Sequence, residues 1–457
     1  VSMNFEFSYP DIKKQCITMA YLNVISFCLL SGCGNIELPD ERELSQVYRL
    51  LKGTESKKNP KNIAFMASLY KKSMPVYAAA PTSPYDFKGF YWNDKKLKKD
   101  IEPDVLAFSV ICMTTLANAV LDGVIKPDKR DFIAYCLGVS SVKQLCFLAD
   151  FLRFGDFFYS GKDNSDSAYG ECSVSIDSEN PDLRTQFHVV EAVSSLLSLL
   201  AKDDIYPKDQ ITKLEKCLGI LPVICENVIE NINSISSRDL SIICLSLLKT
   251  LEYNDSCRQA AYTTVNKIGC ELYERMERSG DISRNICDDS SSSFVTLCNS
   301  MSCLARLHDI NPITLYSDGC IRLYDRIDSY WDEGSGLFII SGRKKQKYTL
   351  KDTTSVLCAL DCLRSSLTDP DLFMHVDRQL SSFYSSAIIK SKLFNGQFYP
   401  ILQDNKMELH NLTASYKTNA PVFSGSFEVK PDKKKYSCEV GSFEAQEILA
   451  GCRYLLY

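Results

Sequence analysis

The strongest constraint in this sequence is a recurrence of paired helical segments. Beyond residue 33 the apolar positions follow helical spacing almost throughout, interrupted by short aromatic stretches that carry glycine. Helices with small or apolar stripes are predicted near 104–122, 183–200, 239–252, 291–308, 352–366 and 442–456. More charged partners are predicted near 129–153, 208–232, 256–279, 313–329 and 371–391. Two further helices, near 40–52 and 60–74, can serve as outer partner of the last striped helix. The result is six helical pairs, one roughly every 50 to 90 residues, a spacing at which neighbouring units bury each other's faces.

Composition narrows the class. Of 457 residues, 45% are hydrophobic and 24% charged, with a net charge of −5. That balance excludes disorder, collagen-like repeats and a polytopic membrane protein. It also lacks the basic excess that many phosphate contacts need, so no nucleic-acid partner is expected. The 20 cysteines mostly fall inside helical patterns, where thiols act as small hydrophobes. No CxxC occurs, and Cys358 and Cys362 stand at helical spacing rather than that of a zinc knuckle. Scattered thiols suit a reducing cytosol or the exterior of an anaerobe.

The striped helices start alike. Asp104, Asp182, Asp239 and Asp352 each stand at the beginning of one. Aspartate there can accept hydrogen bonds from free backbone N–H groups and complement the positive dipole end. If the striped helices form an inner ring, these N-termini share one mouth and the carboxylates converge. Aromatic stretches precede several of them: FYW at 90–92, GDFFY at 155–159, YWDEGSGLF at 330–338 and GQFY at 396–399. Gly334 and Gly336 would allow a tight turn between short strands.

Residues 180–200 (NPDLRTQFHVVEAVSSLLSLL) and 348–363 (YTLKDTTSVLCALDCL) repeat a polar loop with an acidic residue followed by an Ala/Leu-striped helix. In this the chain resembles the six-hairpin α/α toroids, especially the terpenoid-cyclase and prenyltransferase-like superfamily. The resemblance spans roughly residues 85–457. It implies an all-α (α/α)6 toroid with short β-hairpins at the helix ends, expected here as a single domain over residues 33–457. It carries no catalytic signature: DxDD, DDxxD and an Asp/Cys/His zinc set are all missing. An isoprenoid enzyme therefore ranks last, and no metal or cofactor is implied.

The amino terminus reads in two ways. Lys13 and Lys14 precede an apolar run (CITMAYLNVISFCLL, 16–30) and then LSGC at 30–33. This order resembles a bacterial lipoprotein signal, which implies cleavage before Cys33 and a lipid on its sulfur. Residues 1–32 would then be a signal peptide, and the protein would be extracellular and membrane-anchored. The same run also reads as an amphipathic helix with Gln15, Thr18, Asn23 and Ser26 on one face, Asp11 as its cap and Gly34 as its end. A cytoplasmic protein is the alternative address.

Toroids of this shape also serve as glycoside hydrolases and polysaccharide lyases, in which two carboxylates flank the cleaved bond. Here Asp182, Glu191 and Asp352 are the candidate catalytic carboxylates. Asp104, Asp239 and His188, with Trp92, Tyr330 and Trp331 as sugar platforms, are the candidate binding residues. His188 and Glu191, three apart on one helix, could meet as an acid–base pair. The expected function is binding or cleavage of a polysaccharide or other extracellular ligand at the inner-helix mouth. The alternatives for these residues are equally physical: aspartates that only cap, aromatics that only pack hairpins, and a non-catalytic scaffold.

Overall fold

The inner helices assemble first from what their surfaces lack: α-helices apolar nearly all round must be enclosed on every side. The computed structural model describes residues 7–29, 34, 36–37, 39–50, 65–66, 69–70, 72–73, 75–77, 90–92, 98–127, 130–165, 172–176, 180–202, 205–206, 208–253, 258–285, 288–291, 293–340, 345–394, 423–433, 435–439 and 443–457. In chain order its helices are α1 (Tyr9–Val24), α2 (Glu41–Leu50), α3 (Pro103–Leu121), α4 (Arg130–Phe151), α5 (Leu183–Lys202), α6 (Ile211–Leu218) and α7 (Leu221–Glu230). They continue as α8 (Ser237–Tyr253), α9 (Arg258–Glu274), α10 (Phe294–Ile310), α11 (Thr314–Asp328), α12 (Leu350–Ser366), α13 (Pro370–Tyr384) and α14 (Ala445–Leu456).

Helices α3, α5, α8, α10, α12 and α14 pack each on the next, and α14 returns to α3. This closed inner ring is wrapped by α4, the α6–α7 pair, α9, α11, α13 and α1. The chain is an (α/α)6 toroid. Helices α3 and α4 are long and apolar enough to cross a membrane, yet both are mostly buried in the ring.

Small side chains let the inner helices approach. Thr114 and Ser195 join α3 to α5 at 2.5 Å, Ser241 and Ser300 join α8 to α10 at 2.8 Å, and Ser355 donates to Asn299 across α12 and α10 at 2.6 Å. These buried hydroxyls thus find partners across the seam, as burial favours. The 17 described cysteines are all free thiols, and most are buried among these contacts. Burial pushes the Cys16 and Cys28 thiols up to about 12, which makes them inert packing groups.

The sixth outer place differs from the sequence expectation. It is filled by α1 and its π-helical continuation Ile25–Leu29, which pack on α14, α13, α3 and α4. Met19, Ala20, Tyr21, Val24, Ile25 and Phe27 are buried there. In the structure the segment that matches an export signal forms this outer helix, so helical packing on the ring extends back to residue 9. Ser8 caps α1, not Asp11, by accepting from the Asp11 N–H. Helix α2 leans on α4, while the helix expected at 60–74 is replaced by short strands at Phe65–Met66 and Lys72–Ser73. Cys33 lies outside the described residues.

Short antiparallel hairpins cover the helix ends as expected. Arg153–Phe154 pairs with Phe157–Phe158, and Trp331–Asp332 with Leu337–Phe338. Gly155 and Gly336 turn them at φ +61° and +68°, the left-handed region that glycine enters freely. Strands Gln346–Thr349, Ser426–Lys430 and Lys435–Glu439 form a three-stranded sheet in which Tyr348 stacks on Phe427. The 396–399 stretch lies outside the described residues.

Candidate functional site

Because all six inner helices run the same way, their N-termini ring one mouth. The side chains that enter it share a position. Asp104, Arg184, Lys351 and Gln446 are each the second residue of their helix, and all four line one cavity of about 280 Å³. Phe108 and Phe158 give it aromatic walls, while Asp182, His188 and Ile242 complete the inner side. Gln186 clamps the 157–158 strand in place: its amide donates to the Phe158 carbonyl at 2.9 Å and accepts from the Phe158 N–H at 3.0 Å.

The electrostatics follow from depth. Burial pushes the Asp104 carboxyl up to about 6, against a hydrogen bond from Gln446 that favours the charged form. One Asp104 oxygen accepts nothing further among the described residues. His188 is 6% exposed and stands 4.5 Å from the Phe108 ring, and neither ring nitrogen has a partner among the described residues. Burial, reinforced by the charge of Arg453, holds its imidazole neutral, well below the usual range. Lys351 is lowered by burial and by the nearby charge of Arg238. A neutral imidazole, a weakened acid and a perturbed amine thus share one small cavity, the grouping in which side chains exchange protons with a ligand.

The expected site residues divide. Asp104, Asp182 and His188 are brought together on the cavity wall. Asp239 stands one step back, paired at 3.2 Å with Arg184, which also meets Asp182 at 3.4 Å. Glu191 is not in the mouth and does not meet His188. It lies deeper, held by Arg453 at 2.6 and 3.1 Å, because a buried carboxylate one helical turn below the cavity takes the guanidinium fork available there. Asp352 is the third residue of α12 and is off the cavity wall; its N–H donates to Thr349 at 3.1 Å, so Thr349 is the cap. Ser236 caps α8 ahead of Asp239 in the same way.

The aromatic platforms are displaced too. Tyr330 packs edge-on to Phe294 at 5.6 Å and under Arg326 at 4.8 Å. Trp331 packs on Phe338 at 4.9 Å. Both do the work of holding a hairpin, and neither lines the cavity. Trp92 belongs to the strand Phe90–Trp92, paired with Pro75–Tyr77; its side chain is outside the described residues.

Sequence reasoning passed over Phe108, Phe158, Arg184, Lys351 and Gln446. One signal was available. A cation near a helix N-terminus opposes the dipole, yet Arg184, Arg238 and Lys351 are all second residues of inner helices. A second groove of about 540 Å³ lies between α2, α4 and the turn before α6. Two of its lysines are held by its own acids, Lys143 by Glu37 and Glu43 and Lys213 by Asp150, at 2.6–3.2 Å.

No family model matches this sequence, and no curated protein matches it. Solved structures do. A D-mannose isomerase superposes with a TM-score of 0.51 at 11% identity, over 91% of this chain and 96% of that one. A cellobiose 2-epimerase from Spirochaeta thermophila also reaches 0.51, at 9% identity, over 91% and 95%. At this identity the likeness is one of fold.

Proposed function

We propose that the mouth of the inner ring binds a small carbohydrate and transfers protons on it, with Asp104 as the acid and His188 as the neutral base. The observation that carries the reading is His188: a neutral, deeply buried imidazole with both nitrogens unpartnered among the described residues, facing a cavity that also holds a raised carboxyl. Leaving such nitrogens unpaired costs on the order of 1–3 kcal/mol, and a bound hydroxyl group would satisfy them. The aromatic walls and the convergent Asp182, Arg184 and Gln446 suit the apolar faces and hydroxyl edges of a sugar ring. At about 280 Å³ the cavity falls just below the usual small-molecule range of about 300–1,000 Å³, which fits one or two sugar units better than a long polysaccharide. The carbohydrate-acting proteins of the same fold lend support.

Calorimetric titration with a panel of mono- and disaccharides, followed by assay of turnover, tests this. Binding that His188→Phe and Asp104→Asn abolish, with turnover in the native protein, is expected. Binding without turnover would leave the non-catalytic scaffold, and no binding by any sugar would overturn the reading.

The same proposal keeps α1 in the working protein. Cleavage before Cys33 would strip the sixth outer helix and expose the face of α14 that it covers. The free thiols among the described residues suit a reducing compartment, or an anchored form outside an anaerobe. The intact mass of the mature protein decides between them.

A further inference from the structure

Lys351 is the group in the cavity that the proton-transfer reading leaves idle. Its position is unfavourable for a cation on three counts. It is the second residue of α12, at the positive end of the helix dipole. Arg238 and Arg184, second residues of α8 and α5, add positive charge around it. Its amine also has no hydrogen-bonded or ion-paired partner within 4.0 Å among the described residues, although Asp104 and Asp352 act on it from farther off. A lysine held this way spends more of its time as the free amine, whose nitrogen lone pair is a nucleophile. Asp104 and His188, which such chemistry needs as proton donor and acceptor, line the same cavity.

Building on the carbohydrate reading, we propose that the Lys351 Nζ forms an imine with the aldehyde carbon of an open-chain reducing sugar. The nitrogen lone pair forms the C–N bond as the C=O π pair moves to oxygen. His188 relays the proton that the nitrogen sheds to that oxygen, making it a hydroxyl. Asp104 supplies the second proton with which the hydroxyl leaves as water, so the C=N nitrogen keeps one proton and His188 is neutral again. The C=N bond then draws electrons from the neighbouring carbon, so its proton becomes removable by His188. Substrates would accordingly be aldoses with a free reducing end, and the chemistry would occur at the carbon next to the carbonyl.

The probe is D-mannose with sodium cyanoborohydride, which reduces an imine to a permanent secondary amine, read by peptide mapping. Labelling of Lys351 severalfold faster than that of the exposed Lys14 and Lys126 is expected, since a lowered pKa leaves more free amine and the cavity holds the aldehyde beside it. Methyl α-D-mannoside, which has no aldehyde, should bind and slow the labelling. Lys351→Arg keeps the charge and should bind the glycoside normally while losing both the adduct and turnover. Glycoside binding with Lys351 labelled no faster than Lys14 overturns the imine and leaves the carbohydrate reading standing. Failure of both sugars to bind, even where glycolaldehyde labels Lys351 quickly, overturns the sugar imine and the carbohydrate reading together.

Discussion

At the scale of single residues, the cavity concentrates groups whose charged form the fold disfavours. Asp104 has its carboxyl raised from 3.8 to about 6 by burial. A raised acid favours the folded state most when protonated, so the relative gain is complete below about pH 4 and is lost as pH rises through about 6. Asp104→Asn should therefore raise stability above pH 6, by up to about 3 kcal/mol at roughly 1.4 kcal/mol per pKa unit, and leave it nearly unchanged at pH 4. Denaturant melts at pH 4 and pH 8 measure this; equal shifts at both would refute the assignment. His188 has the opposite sign. Because the folded imidazole resists protonation, the unfolded chain alone takes up a proton as pH falls below about 6.5, and native stability drops. His188→Phe should remove that acid sensitivity while abolishing turnover. A neutral imidazole beside Phe108 is readily exchanged for a ring of like size, so the variant should fold, and loss of the fold would count against the placement.

At the scale of elements, the informative case is α1. The apolar run that it opens satisfies an export signal and a helix packed on the ring equally, since each is served by about 15 largely apolar residues. The structure gives this segment contacts with distant residues. Asp361 accepts from Tyr9 and Lys13, both at 2.7 Å, and Tyr384 donates to Gln15 at 2.5 Å. Asn23 accepts from the Phe423 N–H at 3.2 Å. Replacing Asp361 with Ala should cost on the order of 1–2 kcal/mol and speed hydrogen exchange across residues 9–29 selectively; exchange that changes evenly throughout the chain would argue against a local clamp. Phe27→Ala, at a fully buried position, should cost about 3–5 kcal/mol in thermal or denaturant melts. The other missed element has a comparable cause. Residues 60–74 carry helical spacing, but the outer place they were expected to fill is occupied by α1.

At the scale of the whole molecule, the ring is closed by a polar strut across its axis. Arg453 on α14 grips Glu191 on α5 and reaches Ser246 on α8 at 3.2 Å. These helices are not ring neighbours in the case of α14 and α5, with α3 between them. Removing one partner strands a buried charge, which costs about 3–5 kcal/mol, whereas replacing both with apolar groups of similar volume is far milder. Arg453→Met should thus be severely destabilising, and the double variant with Glu191→Leu should recover most of the loss. A double variant as unstable as the single one would mean that the strut sets the geometry of the ring, beyond mere charge balance.

Five helical pairs, the sixth inner helix and the shared direction of the inner N-termini were legible in the chain, because periodicity and turn residues are local properties. Gly336 and the aspartate-bearing starts all act within one turn of themselves. Which side chains at those N-termini face the mouth was not legible. That depends on the rotation of each helix about its axis, which neighbours impose: Glu191 was drawn to Arg453, 262 positions away, and Asp352 sits beside the cavity-facing Lys351 but off the wall. The identity of the sixth outer helix was likewise decided only by closure, since the ring had one exposed face on α14 and the amino-terminal apolar run was the segment that covered it.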